Sequence, residues 1–198
     1  MMAATNYGLL ASLLHKAQMS PKRRCFIFYP HTEEREVQAF LDTYSNAEVF
    51  SHRALGLDMT NDIVDSNDTD YVMRRIREQH MQHTSVTIVM VGQNTWKRRY
   101  VDWEIAASLR NGFGNPANGL LGIKLPSYEY GIHLYPDRLN DNLNAQSAAV
   151  GTPCYARCIP YPTNSAELGT AIGEAYQRRQ TQSHLINNTR PRFAYNRV

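Results

Sequence analysis

The stretch SVTIVMVGQNTWKRRYVDWEIAASLRNGFG, residues 85–114, decides how the rest of the chain folds. Its first eight residues are mostly β-branched, apolar on both alternating sides, and close on Gly92. A strand of that kind buries both faces, as in the middle of a parallel sheet covered by helices. A short polar turn follows, and the spacing predicts a helix from about Thr95 to Arg110. NGFGNP (111–116) then supplies glycine where a helix C-terminus needs one.

The same unit recurs on either side. RRCFIFYP (23–30) is a compact apolar strand closed by proline, and TEEREVQAFLDTY (32–44) is a helix with Val37, Phe40, Leu41 and Tyr44 on one stripe. AEVFSH (47–52) reads as a second strand, 53–68 as a loop, and 69–82 as an amphipathic helix. GLLGIKLP (119–126) is another buried strand, YARCIPYP (155–162) a final strand, and 165–180 a final helix. A lead-in helix is expected over residues 5–18. Strand and helix alternate five times, which predicts an α/β domain with a five-stranded parallel sheet and helices on both faces. The expected organisation is a helical extension over 1–22, the domain over 23–180 with a long insertion at 127–153, and a weakly held polar tail over 181–198. Ligands in such sheets lie beyond the carboxyl ends of the strands, here residues 29–35, 52–62, 92–96 and 125–135.

Composition narrows the class of function. A net charge of +3, spread along 198 residues, lacks the concentrated basic face of a nucleic-acid binder. No apolar run is long enough to cross a membrane, and no signal-peptide pattern opens the chain. Three cysteines fit a reducing cytosol, so a cytoplasmic protein is expected. The chain has no dinucleotide-binding GxGxxG after its first strand, no phosphate loop and no GxSxG elbow. His80 and His83 lack a third ligand nearby, and Cys154 and Cys158 lack CxxC spacing, so neither pair predicts a metal site.

Glu104 is the most informative single residue. It stands one turn after Tyr100 and one before Ser108, with Trp96, Trp103 and Ala107 on the adjoining arc. A carboxyl flanked by aromatics has a raised pKa and serves as a general acid or base, or pairs with a hydroxyl or a cation. The competing reading is a solvated glutamate bridging to Lys97, Arg98 or Arg99, with the aromatics as ordinary core. Tyr29 and His31 fall at the carboxyl edge of a central strand, and Arg53, Asp58 and Asp62 follow the second one. All five also fit an ordinary polar loop.

These residues resemble a known family. SVTIVMVGQNTWKRRYVDWEIAASL followed by GLLGIKLP, with CFIFYPHTEEREV at the start, is similar to the TIR-like domain of the Thoeris anti-phage defence system, the ThsB type. The resemblance covers about residues 23–126 and departs at Pro30, in the 127–153 insertion and in the tail. It implies a flavodoxin-like sheet and cleavage of the nicotinamide–ribose bond of NAD+, bound as substrate rather than as a cofactor. The catalytic glutamate would be Glu104. Tyr29, His31, Arg53, Tyr100 and Trp103 would line the substrate site, with no metal. The product would be a cyclic or otherwise transferred ADP-ribose signal that activates a cognate effector protein, and self-association is one arrangement the family implies. Two alternatives stand beside this one: a non-catalytic TIR-like scaffold presenting WKRRY to partners, and a nucleotide or nucleic-acid binder.

Overall fold

The computed structural model describes residues 22–45, 50–55, 69–112, 116–143 and 153–198. Its strands are β1 (Arg23–Phe28), β2 (Phe50–Leu55), β3 (Val86–Val91), β4 (Gly119–Lys124) and β5 (Arg157–Ile159). They form one sheet in the order β2-β1-β3-β4-β5, and every pairing is parallel. The helices are α1 (Glu34–Tyr44), α2 (Thr69–His80), α3 (Arg99–Ser108), α4 (Asp137–Asn142) and α5 (Ser165–Thr181). This is the flavodoxin-like arrangement, and the strand order reverses between β1 and β3, the switch point at which such sheets bind ligands.

The period-two alternation of the strands divides the core. Phe26, Phe28, Val89, Val91 and Leu120 point toward α2, α3 and α4. Cys25, Ile27, Ile88, Met90, Leu121 and Ile123 point toward α1 and α5. Both sets are buried, which is why the central strands read as unbroken apolar runs rather than alternating ones. The sheet admits α5 closely: a Cβ on Gly119 would stand 2.1 Å from the Ala175 carbonyl oxygen, so only glycine fits there.

Several boundaries differ from the expectation. The second strand extends through Arg53 to Leu55, where a loop was predicted. The expected helix over 95–110 is broken at Arg98, whose extended backbone separates a 3₁₀ turn (Thr95–Lys97) from α3. The 127–153 insertion holds structure of its own, namely α4 and most of a 3₁₀ turn over Pro126–Tyr130. The lead-in helix over 5–18 lies outside the described residues.

The largest correction concerns the tail, which is held along its length. Trp103 donates its indole N–H to the Phe193 carbonyl at 2.9 Å, and the Phe193 N–H donates to Asp102 at 3.0 Å. Asn142 exchanges two hydrogen bonds with Asn187, and Asn188 donates to the Ala106 carbonyl. Arg197 reaches Asp137 with both terminal nitrogens. Arg138 lies at the centre. It is 1% exposed, donates to both oxygens of Asp102, and also donates to Asn188 and to the carbonyls of Arg190 and Pro191. Polar composition is therefore no guide to looseness here, because the polar groups find partners on α3 and α4.

Removing one member of a buried ion pair strands the other and typically costs about 3–5 kcal/mol. Arg138→Met is expected to lower the urea unfolding free energy by about that amount. Adding Asp102→Asn is expected to cost less than the sum of the two single changes, because the stranded charge is then gone. A loss below about 1 kcal/mol for Arg138→Met would show that the pair does not anchor the tail.

Candidate active site

The turn joining β3 to α3 is built by short side chains. Thr95 accepts the Gly92 N–H at 2.8 Å and donates back to the Met90 carbonyl at 3.2 Å, closing the loop on itself. Glu33, only 3% exposed, crosses from the end of β1 and accepts the Asn94 N–H at 2.9 Å. Its neighbour Glu36 crosses further and accepts both the N–H and the hydroxyl of Ser127, beyond β4. These two carboxylates brace three strand ends across the switch point. Gly92 is tailored to that brace, since a Cβ there would stand 2.4 Å from Cγ of Glu33. Burial raises the Glu33 pKa, opposed by the Asn94 N–H, the Thr32 hydroxyl and the Arg98 charge. In the sequence both glutamates look like ordinary first-turn helix acids, so only their long reach reveals the role.

Glu104 sits in the second turn of α3, 7% exposed, with every residue from Val101 to Leu109 buried around it. The solvated reading therefore fails for this residue. Among the described residues its carboxyl has no hydrogen-bond or ion-pair partner. Burial alone moves its pKa from 4.5 up to about 8. A buried carboxyl without partners is costly, and such groups concentrate where chemistry needs them. At neutral pH it is mostly protonated, and a cation brought alongside would draw the proton off.

The other expected residues are distributed unevenly. Tyr100 and Trp103 lie together on α3 in an edge-to-face contact with centroids 6.1 Å apart, and the Arg99 guanidinium covers both rings. Trp103 is buried, its one donor engaged by the tail. Tyr29 packs against the cluster on the opposite face of the sheet, beside α1 and α5. Its hydroxyl pKa is raised by burial and by the Glu34 charge. His31 is 70% exposed and contacts Glu34 at 2.9 Å. Among the described residues no hydrogen bond, ion pair or ring contact joins Tyr29 or His31 to Glu104. Arg53 pairs with Phe26 in the β1–β2 register, and its side chain, like Asp58 and Asp62, lies outside the described residues. Among the described residues no group of histidine, cysteine or acidic side chains could hold a metal, and no helix is long and apolar enough to cross a membrane.

The raised pKa has a thermodynamic consequence. Between pH 4.5 and about 8 the folded protein holds the Glu104 proton more tightly than the unfolded chain does. Stability therefore falls as pH rises through that window, by an amount on the order of 5 kcal/mol in full. Glu104→Gln removes the penalty. Urea unfolding is expected to show the variant close to wild type at pH 5 and more stable by several kcal/mol above pH 8. An equal pH slope for the two proteins would contradict the buried, unpaired carboxyl.

A family model described as the TIR-like domain of the Thoeris protein ThsB matches residues 26–130, more than half of the chain. The matched span runs from within β1 to the 3₁₀ turn after β4, and so includes the switch point, the Glu33 brace and Glu104. No curated protein matches the chain. The strand order, the sequence of elements and this match converge: the chain belongs to the TIR-like domain family of the Thoeris protein ThsB, which ties it to an anti-phage defence system.

Proposed function

We propose that this domain cleaves the bond between nicotinamide and ribose in NAD+, with Glu104 as the catalytic carboxylate. The observation that carries the reading is a buried carboxyl without a partner, on the helix that follows β3, in a chain of this family. The chemistry asks for such a group. Nicotinamide leaves as a neutral base: the electron pair of the C1′–N bond goes to the ring nitrogen, and no proton is needed from the enzyme. What must be stabilised is the oxocarbenium-like ribosyl centre left behind, and a nearby carboxylate does that through charge. Capture of the ribosyl centre by water or by a nucleophile of the same molecule releases one proton. The second course closes the ADP-ribose into a cyclic signal, which in this reading activates a cognate effector.

The substrate itself would ionise the catalyst. A pyridinium ring beside Glu104 favours the charged form, so the carboxyl gives up its proton as NAD+ binds. Tyr100, one turn nearer the carboxyl edge on the same helix face, is proposed as a wall for the sugar, and Trp103 as the support behind it. Tyr29, His31 and Arg53 belong to the proposal as the side of the site nearer β1 and β2.

Nicotinamide release followed by chromatography tests this directly. Wild-type protein, with a phage cue supplied where the resting protein is silent, is expected to convert NAD+, and Glu104→Gln to lose at least about 100-fold in rate. In the wild type, kcat/KM is expected to rise with pH and level off above about 8, where the free enzyme's Glu104 is ionised. Turnover that survives Glu104→Gln would remove the proposed role. Partner capture without NAD+ consumption would favour the scaffold reading instead.

A further inference from the structure

We propose that Asn196 is a positioning residue for Glu104: from the C-terminal segment it caps α3, and the cap holds the first turn on which Tyr100 and the carboxyl depend. Its catalytic consequence rests on the NAD+ cleavage proposed above; its hold on the carboxyl does not.

The local backbone shows why α3 needs this cap. A helix begins with N–H groups that have no partner inside it, and the residue before its first turn ordinarily offers them a side-chain acceptor. Here that residue is Arg98, whose side chain has no acceptor to offer and makes no capping hydrogen bond. Its extended backbone also stops the Thr95–Lys97 turn from running on into α3. The missing acceptor comes from 97 positions further along the chain, where Asn196 Oδ1 accepts the Arg99 N–H at 2.9 Å. At the next position the Arg197 N–H donates to the Lys97 carbonyl at 2.8 Å, which fixes the capping residue in place.

The hold passes from the cap to the site through Arg99. Its guanidinium donates to the Ala194 carbonyl at 3.1 Å and to the Tyr100 hydroxyl at 2.8 Å, and it lies over the Tyr100 ring. The C-terminal segment thus grips Arg99 by backbone and by side chain, and Arg99 grips Tyr100. Tyr100 stands one turn before Glu104, on the same side of α3. A helix of 10 residues is too short to keep its shape unaided, so a frayed first turn would swing Tyr100 away and admit water to the carboxyl. Burial is what raises the pKa of that carboxyl, so the arrival of water registers in its titration. Asn196 is itself exposed, and replacing it empties no part of the core, which separates loss of the cap from loss of the fold.

The full chain, compared as wild type, Asn196→Ala, Asn196→Asp and Asn164→Ala, tests the role. Asn164 caps α5 through the Glu167 N–H, so its loss is the same chemical change on another helix. Amide hydrogen exchange reads the first turn of α3, and carbon-13 NMR of the Glu104 carboxyl reads its titration. Asn196→Ala is expected to speed exchange at residues 99–104 about fivefold and to bring the Glu104 midpoint down from its wild-type value. Asn196→Asp keeps the acceptor, suits a helix N-terminus, and is expected to restore both. Asn164→Ala is expected to change neither. Where NAD+ is consumed, Asn196→Ala is expected to lose about tenfold in kcat/KM, recovered in Asn196→Asp. A wild type that consumes no NAD+ removes the cleavage alone, and exchange and titration still decide the role of Asn196. An unchanged Glu104 midpoint in Asn196→Ala, an equal shift in Asn164→Ala, or no recovery in Asn196→Asp overturns it.

Discussion

Two acids stand two residues apart on α3, and the contrast between them governs the structure. Asp102 accepts both forks of Arg138 and the Phe193 N–H, so its charge is fully compensated although only 2% of it is exposed. Glu104, almost as deeply buried, receives no hydrogen bond or ion pair among the described residues. Burial of a charge is tolerable only when hydrogen bonds replace the lost water. One acid thus became an anchor and the other a strained group whose charge awaits a partner. Environment, not residue type, assigned the two roles.

The anchor needs the C-terminal segment. Without residues 187–193 the outer side of α3 would face water: Trp103 would lose its acceptor, and Arg138 the carbonyls that complete its shell. The other end of α3 is set by the Thr95 turn and the Glu33 brace. A short helix held at both ends places its inner side chains with little freedom, which is what the proposed reliance on a single carboxyl would demand. Between these two ends the extended backbone at Arg98 separates the Thr95 turn from the start of α3.

The sheet was legible in the sequence because central strands of a parallel sheet are apolar on both faces, and VTIVMV and GLLGI leave no other reading. The helix carrying Glu104 was legible from its residue spacing, though not its break at Arg98, and the aromatic setting of that residue was legible with it. The C-terminal segment was not. Its stability comes from Asn187, Asn188 and Arg190 pairing with Asn142, Arg138 and Asp141, some fifty positions away. No local pattern records such pairs, and a polar run looks the same whether it is solvated or engaged. Glu33 was hidden in another way: a first-turn acid predicts a helix start, and nothing marks one that reaches across to another strand's loop. The helix DRLNDN within the insertion lacked apolar periodicity because Arg138 and Asn142, not leucines, form most of its buried side.

The division of α3 into two sides explains why its acids do not interfere. Asp102 and Arg138 lie toward α4 and the C-terminal segment, and Glu104 lies on the other arc, with no cation among the described residues acting on its carboxyl. Were Arg138 to face Glu104 as well, the carboxyl would sit low in pKa, permanently paired, and a cationic substrate would have to break that pair to bind. Keeping the arginines engaged by Asp102, Asp137 and Asp141 prevents this. The dense ion-pair network around the tail thus holds the helix and, at the same time, withholds positive charge from Glu104, the carboxyl on which the proposed cleavage relies.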